Sequence, residues 1–210
     1  MGERRVRRML RRMESGEPVR VTGALMTTAK FARCAALARE FGYEYAEVRR
    51  DGGTQGDQYV VVIVPDPTPE ARARAARNRA RYPGAADGGE LPRPAPEAVE
   101  LLKARITFDI TTMYTDRQLI LLAGLGAVPL ALPLGLALGS GATAVVLTGV
   151  FWAALMALVP LGSAFNRRHR TRCADVLRAA GFTPVTAPDG RLRYLPPGGR
   201  LPGHGGPLAG

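Results

Sequence analysis

Between Gln118 and Ala164 the chain carries no ionisable side chain, and this stretch restricts the possible folds more than any other feature. It divides into two apolar runs, 118–139 and 142–164, joined through Gly139-Ser140-Gly141. Each run is roughly 21 residues, about 30 Å as a helix, which matches the hydrocarbon core of a bilayer. A buried helix of a soluble protein can also be apolar on every side. Two in tandem, each of bilayer length, are much harder to explain that way. The short link makes the two spans antiparallel neighbours, so the expected element is a transmembrane hairpin.

Charge sets the expected orientation. Lys103, Arg105 and Arg117 precede the first span, Arg167, Arg168, Arg170 and Arg172 follow the second, and the link carries no charge. The positive-inside rule then places both termini in the cytoplasm. The chain holds 29 Lys+Arg against 18 Asp+Glu, a formal net charge of +11. Lysine occurs only at Lys30 and Lys103. Arginine in place of lysine, with abundant Ala, Gly and Pro, is the composition of a GC-rich bacterial genome, so a bacterial inner membrane is the expected location. Val6, Leu10 and Met13 are scattered among arginines and form no continuous apolar run, so no signal peptide is expected.

Small residues recur every fourth position in both spans: Ala123, Ala127, Ala131, Gly135 and Gly139 in the first, Gly149, Ala153 and Ala157 in the second. This spacing lets two helix backbones approach closely, which substitutes for hydrophobic drive inside lipid. The stripes can face each other within one hairpin, or one can serve contacts between copies. Pro129 and Pro133 favour a kink in the first span. With no ionisable group at membrane depth, an ion-coupled carrier or charge-lined filter is disfavoured.

Around the spans the pattern is α+β. Residues 1–16 form a basic arm, with Arg4, Arg5, Arg7, Arg8, Arg11 and Arg12 beside an apolar face of Val6, Leu10 and Met13. Together with Arg117, Arg167, Arg168 and Arg170 these are the candidate contacts to anionic headgroups. A solvated, partly frayed arm and contact with nucleic-acid phosphate are the alternatives, the latter not favoured. Residues 17–82 read as a compact segment. It holds a strand from Val19, a helix from about Ala29 to Phe41 capped by Thr27 or Thr28 and stopped at Gly42, and strands at Tyr43–Arg49 and Gln58–Val64. The last of these is continuously apolar from Tyr59 and is expected to be central. A helix over 69–81 follows, with Ala73, Ala76 and Ala80 on one face and Arg74, Arg77 and Arg81 on another.

Residues 83–96 read as a Pro/Gly linker and 97–117 as a membrane-proximal segment. Within it Glu97–Lys103 looks helical. Ile106, Phe108 and Ile110 alternate with polar residues in the manner of a strand, and a helix feeding the first span is the alternative. Residues 165–195 repeat a helix–strand–strand outline: Arg33-Cys34-Ala35 is echoed by Arg172-Cys173-Ala174, Gly42 by Gly181 and Tyr43 by Phe182. An isolated two-stranded hairpin is marginal in water, so this unit is expected to pack on 17–82. The result is one cytoplasmic α+β domain, interrupted by the two-helix transmembrane hairpin. Residues 196–210 read as a disordered Gly/Pro tail.

No P-loop, GxGxxG, HExxH or GxSxG is present, and no motif specific to a known family occurs. Two histidines and two cysteines without a CxxC suggest neither a disulfide framework nor a metal site. Cys34 and Cys173 are expected as buried small residues, and Asp109 and Asp116 as surface acids. No catalytic, cofactor-binding or metal-ligating residues are therefore expected. The reading is a non-enzymatic, membrane-anchored interaction or assembly module, binding itself or another protein beside the anionic bilayer. A subunit of a multimeric pore and a lipid-acting membrane enzyme are the alternatives.

Overall fold

The computed structural model describes residues 3–23, 27–51, 58–113, 118, 121, 141–187 and 190–197. Among them are five helices and five strands, a mixed α+β arrangement. The chain divides into two compact units, residues 1–110 with 173–210, and residues 111–172.

In the first unit, β1 (Val19–Thr22), β2 (Tyr43–Asp51) and β3 (Gln58–Pro65) form an antiparallel sheet of order β1-β3-β2. The apolar strand β3 is central. Val19 pairs with Ile63 and Val21 with Val61, so these four side chains share one face, and all are buried. Helix α1 (Glu3–Met13) packs on β1, and α2 (Thr28–Glu40) on β2 and β3.

The helix ends follow local chemistry. Thr27 caps α2, its hydroxyl oxygen accepting from the Lys30 N–H at 3.4 Å. Thr68 caps α3 (Pro69–Arg81) in the same way through the Ala71 N–H, and Pro69 sits where a missing N–H costs nothing. After α2 the chain turns through Gly42 at φ +84°, and a Cβ there would lie 2.9 Å from the Ala75 Cβ of α3. Glycine is required twice at this position, for the left-handed turn and for the approach of α3.

Three details go beyond the sequence pattern. Residues 3–13 are not a free arm. Val6, Met9, Leu10 and Met13 are buried, and the Tyr43 hydroxyl donates to the Met13 carbonyl at 2.6 Å. Burying such side chains stabilises by at most about 1.5–3 kcal/mol each, enough to hold a short helix that would fray alone. On α3 the packed positions are Ala71 and Ala75, while Ala73, Ala76 and Ala80 are exposed. Both sets have helical spacing, and the one facing Gly42 is used. The 83–96 segment is no loose spacer. Its Gly84 carbonyl accepts from the Asp87 and Gly89 N–H groups, Ala85 is buried, and Asp87 pairs with Arg11 of α1 at 3.0 Å.

Helix α4 (Pro96–Thr111) settles the Ile106–Ile110 segment as helical. Leu101, Ala104 and Phe108, three and four residues apart, face a second apolar cluster with Cys173, Ala174, Leu177, Tyr194 and Phe182. That 3.6-residue repeat outweighs the short alternation. The cluster joins α4 to the end of α5 (Ala142–Ala179) and to the hairpin of β4 (Thr183–Thr186) and β5 (Leu192–Leu195). Phe108 and Tyr194 meet edge to face, with centroids 4.9 Å apart. The hairpin forms its own two-stranded sheet and adds no strand to β1-β3-β2.

The second unit is dominated by α5. Among the described residues, its segment Val145–Ala179 is the one long and apolar enough to cross a membrane. Val145 is 69% exposed and Phe165 74%, and Val150, Leu158 and Leu161 are exposed as well. Apart from Gln118 and Leu121, the first apolar run lies outside the described residues.

Candidate functional site

An irregularity in β2 builds the most distinctive polar cluster of the first unit. Tyr45 pairs with Ile63 and Glu47 with Val62, so Ala46 is an inserted residue. Glu44 lies opposite Val64 and Glu47 opposite Val62. These partners are two apart on β3, so both acids share one face. An unbroken strand would send residues 44 and 47 to opposite faces. The Glu47 carboxylate is buried and accepts from Arg193 Nη1 of β5 at 2.6 Å and from Arg49 Nε.

Next to it, the Tyr45 hydroxyl donates to Asp109 Oδ2 of α4 at 2.6 Å. Burial, then the nearby Asp109 charge, raises the Tyr45 pKa well above its usual value, so the phenol remains a donor. Burial also raises Asp109, although the Tyr45 bond and Arg105 favour its charged form. Arg105 is only 6% exposed. Its guanidinium carbon sits 4.9 Å from the Tyr45 ring centroid and 5.7 Å from that of Phe182, and burial lowers its pKa. Among the described residues, the buried Arg105 Nε has no hydrogen-bond partner.

Arg105 and Tyr45 line a cleft of roughly 700 Å³ within this unit. Its lining comes from α2, β2 and the approach to α3, with Arg39, Glu44 and Asp66, and from α4 and the residue before β4, with Leu101, Leu102 and Phe182. Burial and the neighbouring Asp66 raise the Glu44 pKa, against Arg105 and Arg39. The cleft thus combines an apolar wall with charges of both signs.

The residues singled out from sequence are distributed differently. On α1, Arg4, Arg5, Arg8, Arg11 and Arg12 are exposed and Arg7 is half-buried. Arg4, Arg7, Arg8, Arg11 and Arg12 line a shallow groove. On α5, Arg167 and Arg168 are exposed, and Arg170 Nη2 donates to the Thr111 carbonyl at 3.0 Å. Gly149, Ala153 and Ala157 are exposed along α5. Ala123, Ala127, Ala131, Gly135, Gly139 and Arg117 lie outside the described residues, as does Asp116. Cys34 and Cys173 are buried free thiols. Asp109 is no plain surface acid, since it accepts from Tyr45.

Sequence reasoning missed Tyr45, Glu47, Arg105 and Arg193. In the sequence Arg105 reads only as a charge flanking the first span. A faint signal lies in the placement of Glu44 and Glu47 within the otherwise apolar and aromatic run from Tyr43 to Val48. No family model matches the chain, and neither a curated protein nor a solved structure matches it.

Proposed function

We propose that this chain is a bacterial inner-membrane protein that crosses the bilayer twice, through 118–139 and 142–164, with both termini cytoplasmic. Its α+β domain is a membrane-anchored interaction or assembly module that acts by binding itself or another protein, not by catalysis. The observation that supports this reading is the concentration of exposed apolar surface on α5. Val145, Val146, Val150, Leu158, Leu161 and Phe165 stand open along the part of α5 that precedes its first arginine, Arg167, where water would be a poor solvent and lipid a good one. The flanking arginines support the orientation. On α1 the apolar side is occupied within the domain, and the exposed Arg4, Arg5, Arg8 and Arg12 suit contact with anionic headgroups.

Two measurements test the proposal. The protein should remain in the membrane pellet after alkaline carbonate extraction, and release into the supernatant would refute it. A membrane-impermeant maleimide applied to intact spheroplasts should label Ser140→Cys but not Ser15→Cys. Labelling of Ser15→Cys from outside would overturn the orientation.

A multimeric pore is the second reading, supported by the exposed small positions Gly149, Ala153 and Ala157, which would suit packing between copies. Light scattering of the full chain in detergent separates the two. A ring-sized assembly favours the pore, and a monomer or dimer favours the anchored module.

A further inference from the structure

The cleft beside Arg105 is built around a cationic group that the domain itself leaves incompletely satisfied. None of the ion pairs Arg11–Asp87, Arg49–Glu47, Lys103–Glu100, Arg178–Asp175 and Arg193–Glu47 includes Arg105. Its ring contacts are the faces of Tyr45 and Phe182, the Asp109 and Glu44 carboxylates act on it as nearby charges, and among the described residues its buried Nε has no hydrogen-bond partner. Ring faces attract a cation but accept none of its N–H bonds in the plane of the guanidinium. A desolvated guanidinium is costly unless an oxyanion meets its fork, and the fork suits carboxylate and phosphate alike.

The rest of the cleft narrows the choice. Leu101, Leu102 and Phe182 give the cleft apolar lining, the Phe182 ring lying at the guanidinium, and Glu44 and Asp66 add two carboxylates. Those two carboxylates repel a phosphate dianion more than a monoanion. A small inorganic anion would also leave the apolar wall wet. We propose that the cleft binds a monoanionic amphiphile, a carboxylate or phosphodiester head on an apolar body, with Arg105 holding the head and Leu101, Leu102 and Phe182 covering the body. Such a ligand could be a free organic acid or a membrane phospholipid, which share this chemistry. The proposal stands on the first unit alone and does not depend on the membrane reading.

The test titrates the full chain, held in maltoside detergent, by isothermal titration calorimetry against protein-free detergent. The probes are decanoate, a short-chain phosphatidylglycerol and inorganic phosphate. Saturable one-to-one binding of either amphiphile, with none of phosphate, is expected. Decanoate alone would identify a free acid as the source, phosphatidylglycerol alone a lipid, and both a site that reads only the monoanionic head. Arg105→Gln should weaken binding at least tenfold. Leu102→Asp, which places a like charge on a partly exposed wall position, should do the same while the unfolding midpoint by circular dichroism stays close to wild type. If Arg105→Gln fails to fold, Leu102→Asp decides alone. Absence of saturable binding by both amphiphiles overturns the proposal. So does binding that survives Leu102→Asp unchanged, or phosphate binding as tightly as the amphiphiles.

Discussion

Arg193 of β5 donates from Nη1 to Glu47 Oε2 of β2 at 2.6 Å, across 146 residues of sequence. The two side chains are 15% and 7% exposed, so the pair is largely shielded from water. Removing one member of a buried pair strands the other and costs about 3–5 kcal/mol. Arg49 still holds Glu47 in Arg193→Ala, so that variant should sit near the lower end, about 3 kcal/mol. The double variant Glu47→Ala/Arg193→Ala should lose clearly less than the sum of the singles. Thermal unfolding of the full chain in detergent, followed by far-UV circular dichroism, measures all three. Strict additivity would show that the contact carries no coupling.

The Glu44 carboxyl is raised above its ordinary 4.5, first by burial and then by Asp66. The folded chain therefore keeps this proton to a higher pH than the unfolded chain. Below about 4.5 both states hold it. As pH rises through the folded pKa, the unfolded state binds fewer protons and stability falls. Glu44→Gln lacks this loss. Its midpoint relative to wild type should shift upward between pH 4 and pH 7, and an unchanged difference would contradict the account.

Gly42→Ala meets two obstacles. The left-handed φ of +84° disfavours any Cβ, and the new methyl would lie 2.9 Å from Ala75. Together these should cost about 2–4 kcal/mol. Adding Ala75→Gly should relieve the clash but not the backbone strain, so the unfolding midpoint should recover only in part. Full recovery would mean that the turn tolerates a side chain.

Burial pushes the Cys34 thiol up to about 11 despite the nearby Arg5, and burial raises Cys173 as well. Thiolate is the reactive form. Neither cysteine should react with iodoacetamide at pH 8 in the folded chain, and both should react in denaturant. Mass spectrometry of alkylated protein checks this, and rapid labelling of the native chain would place a thiol at the surface.

Much of the fold was legible where a local rule operates. Thr27 and Gly42 bracket α2, Thr68 and Pro69 open α3, and the continuous apolar run of β3 marks the central strand. The long apolar segment of α5 was legible from hydropathy alone. Local rules failed where two patterns shared the same residues. On α1 the apolar positions 6, 9, 10 and 13 are a core face, yet the arginines between them resemble a solvated arm. At Ile106–Ile110 a two-residue alternation was embedded in a longer helical repeat. The bulge at Ala46 has no local signature, and it decides that Glu44 and Glu47 share a face. The Glu47–Arg193 and Tyr45–Asp109 contacts join distant segments, so no spacing within one element could reveal them. Arg105 showed the same ambiguity, because a flanking arginine and a buried one look alike in sequence.

The span between Glu47 and Arg193 also has a duration. At ~5–20 residues per second, a ribosome takes roughly 7–30 s to cover the 146 residues that separate them. Throughout that interval the nascent chain contains Glu47 but not Arg193, and from the point where Phe108 is made it waits for Tyr194. The partners of Glu47 and Phe108 on the hairpin therefore arrive last. A chain stalled or cleaved after Ile110 would be left with the apolar side of α4 uncovered, a surface that quality-control proteases and chaperones are equipped to find.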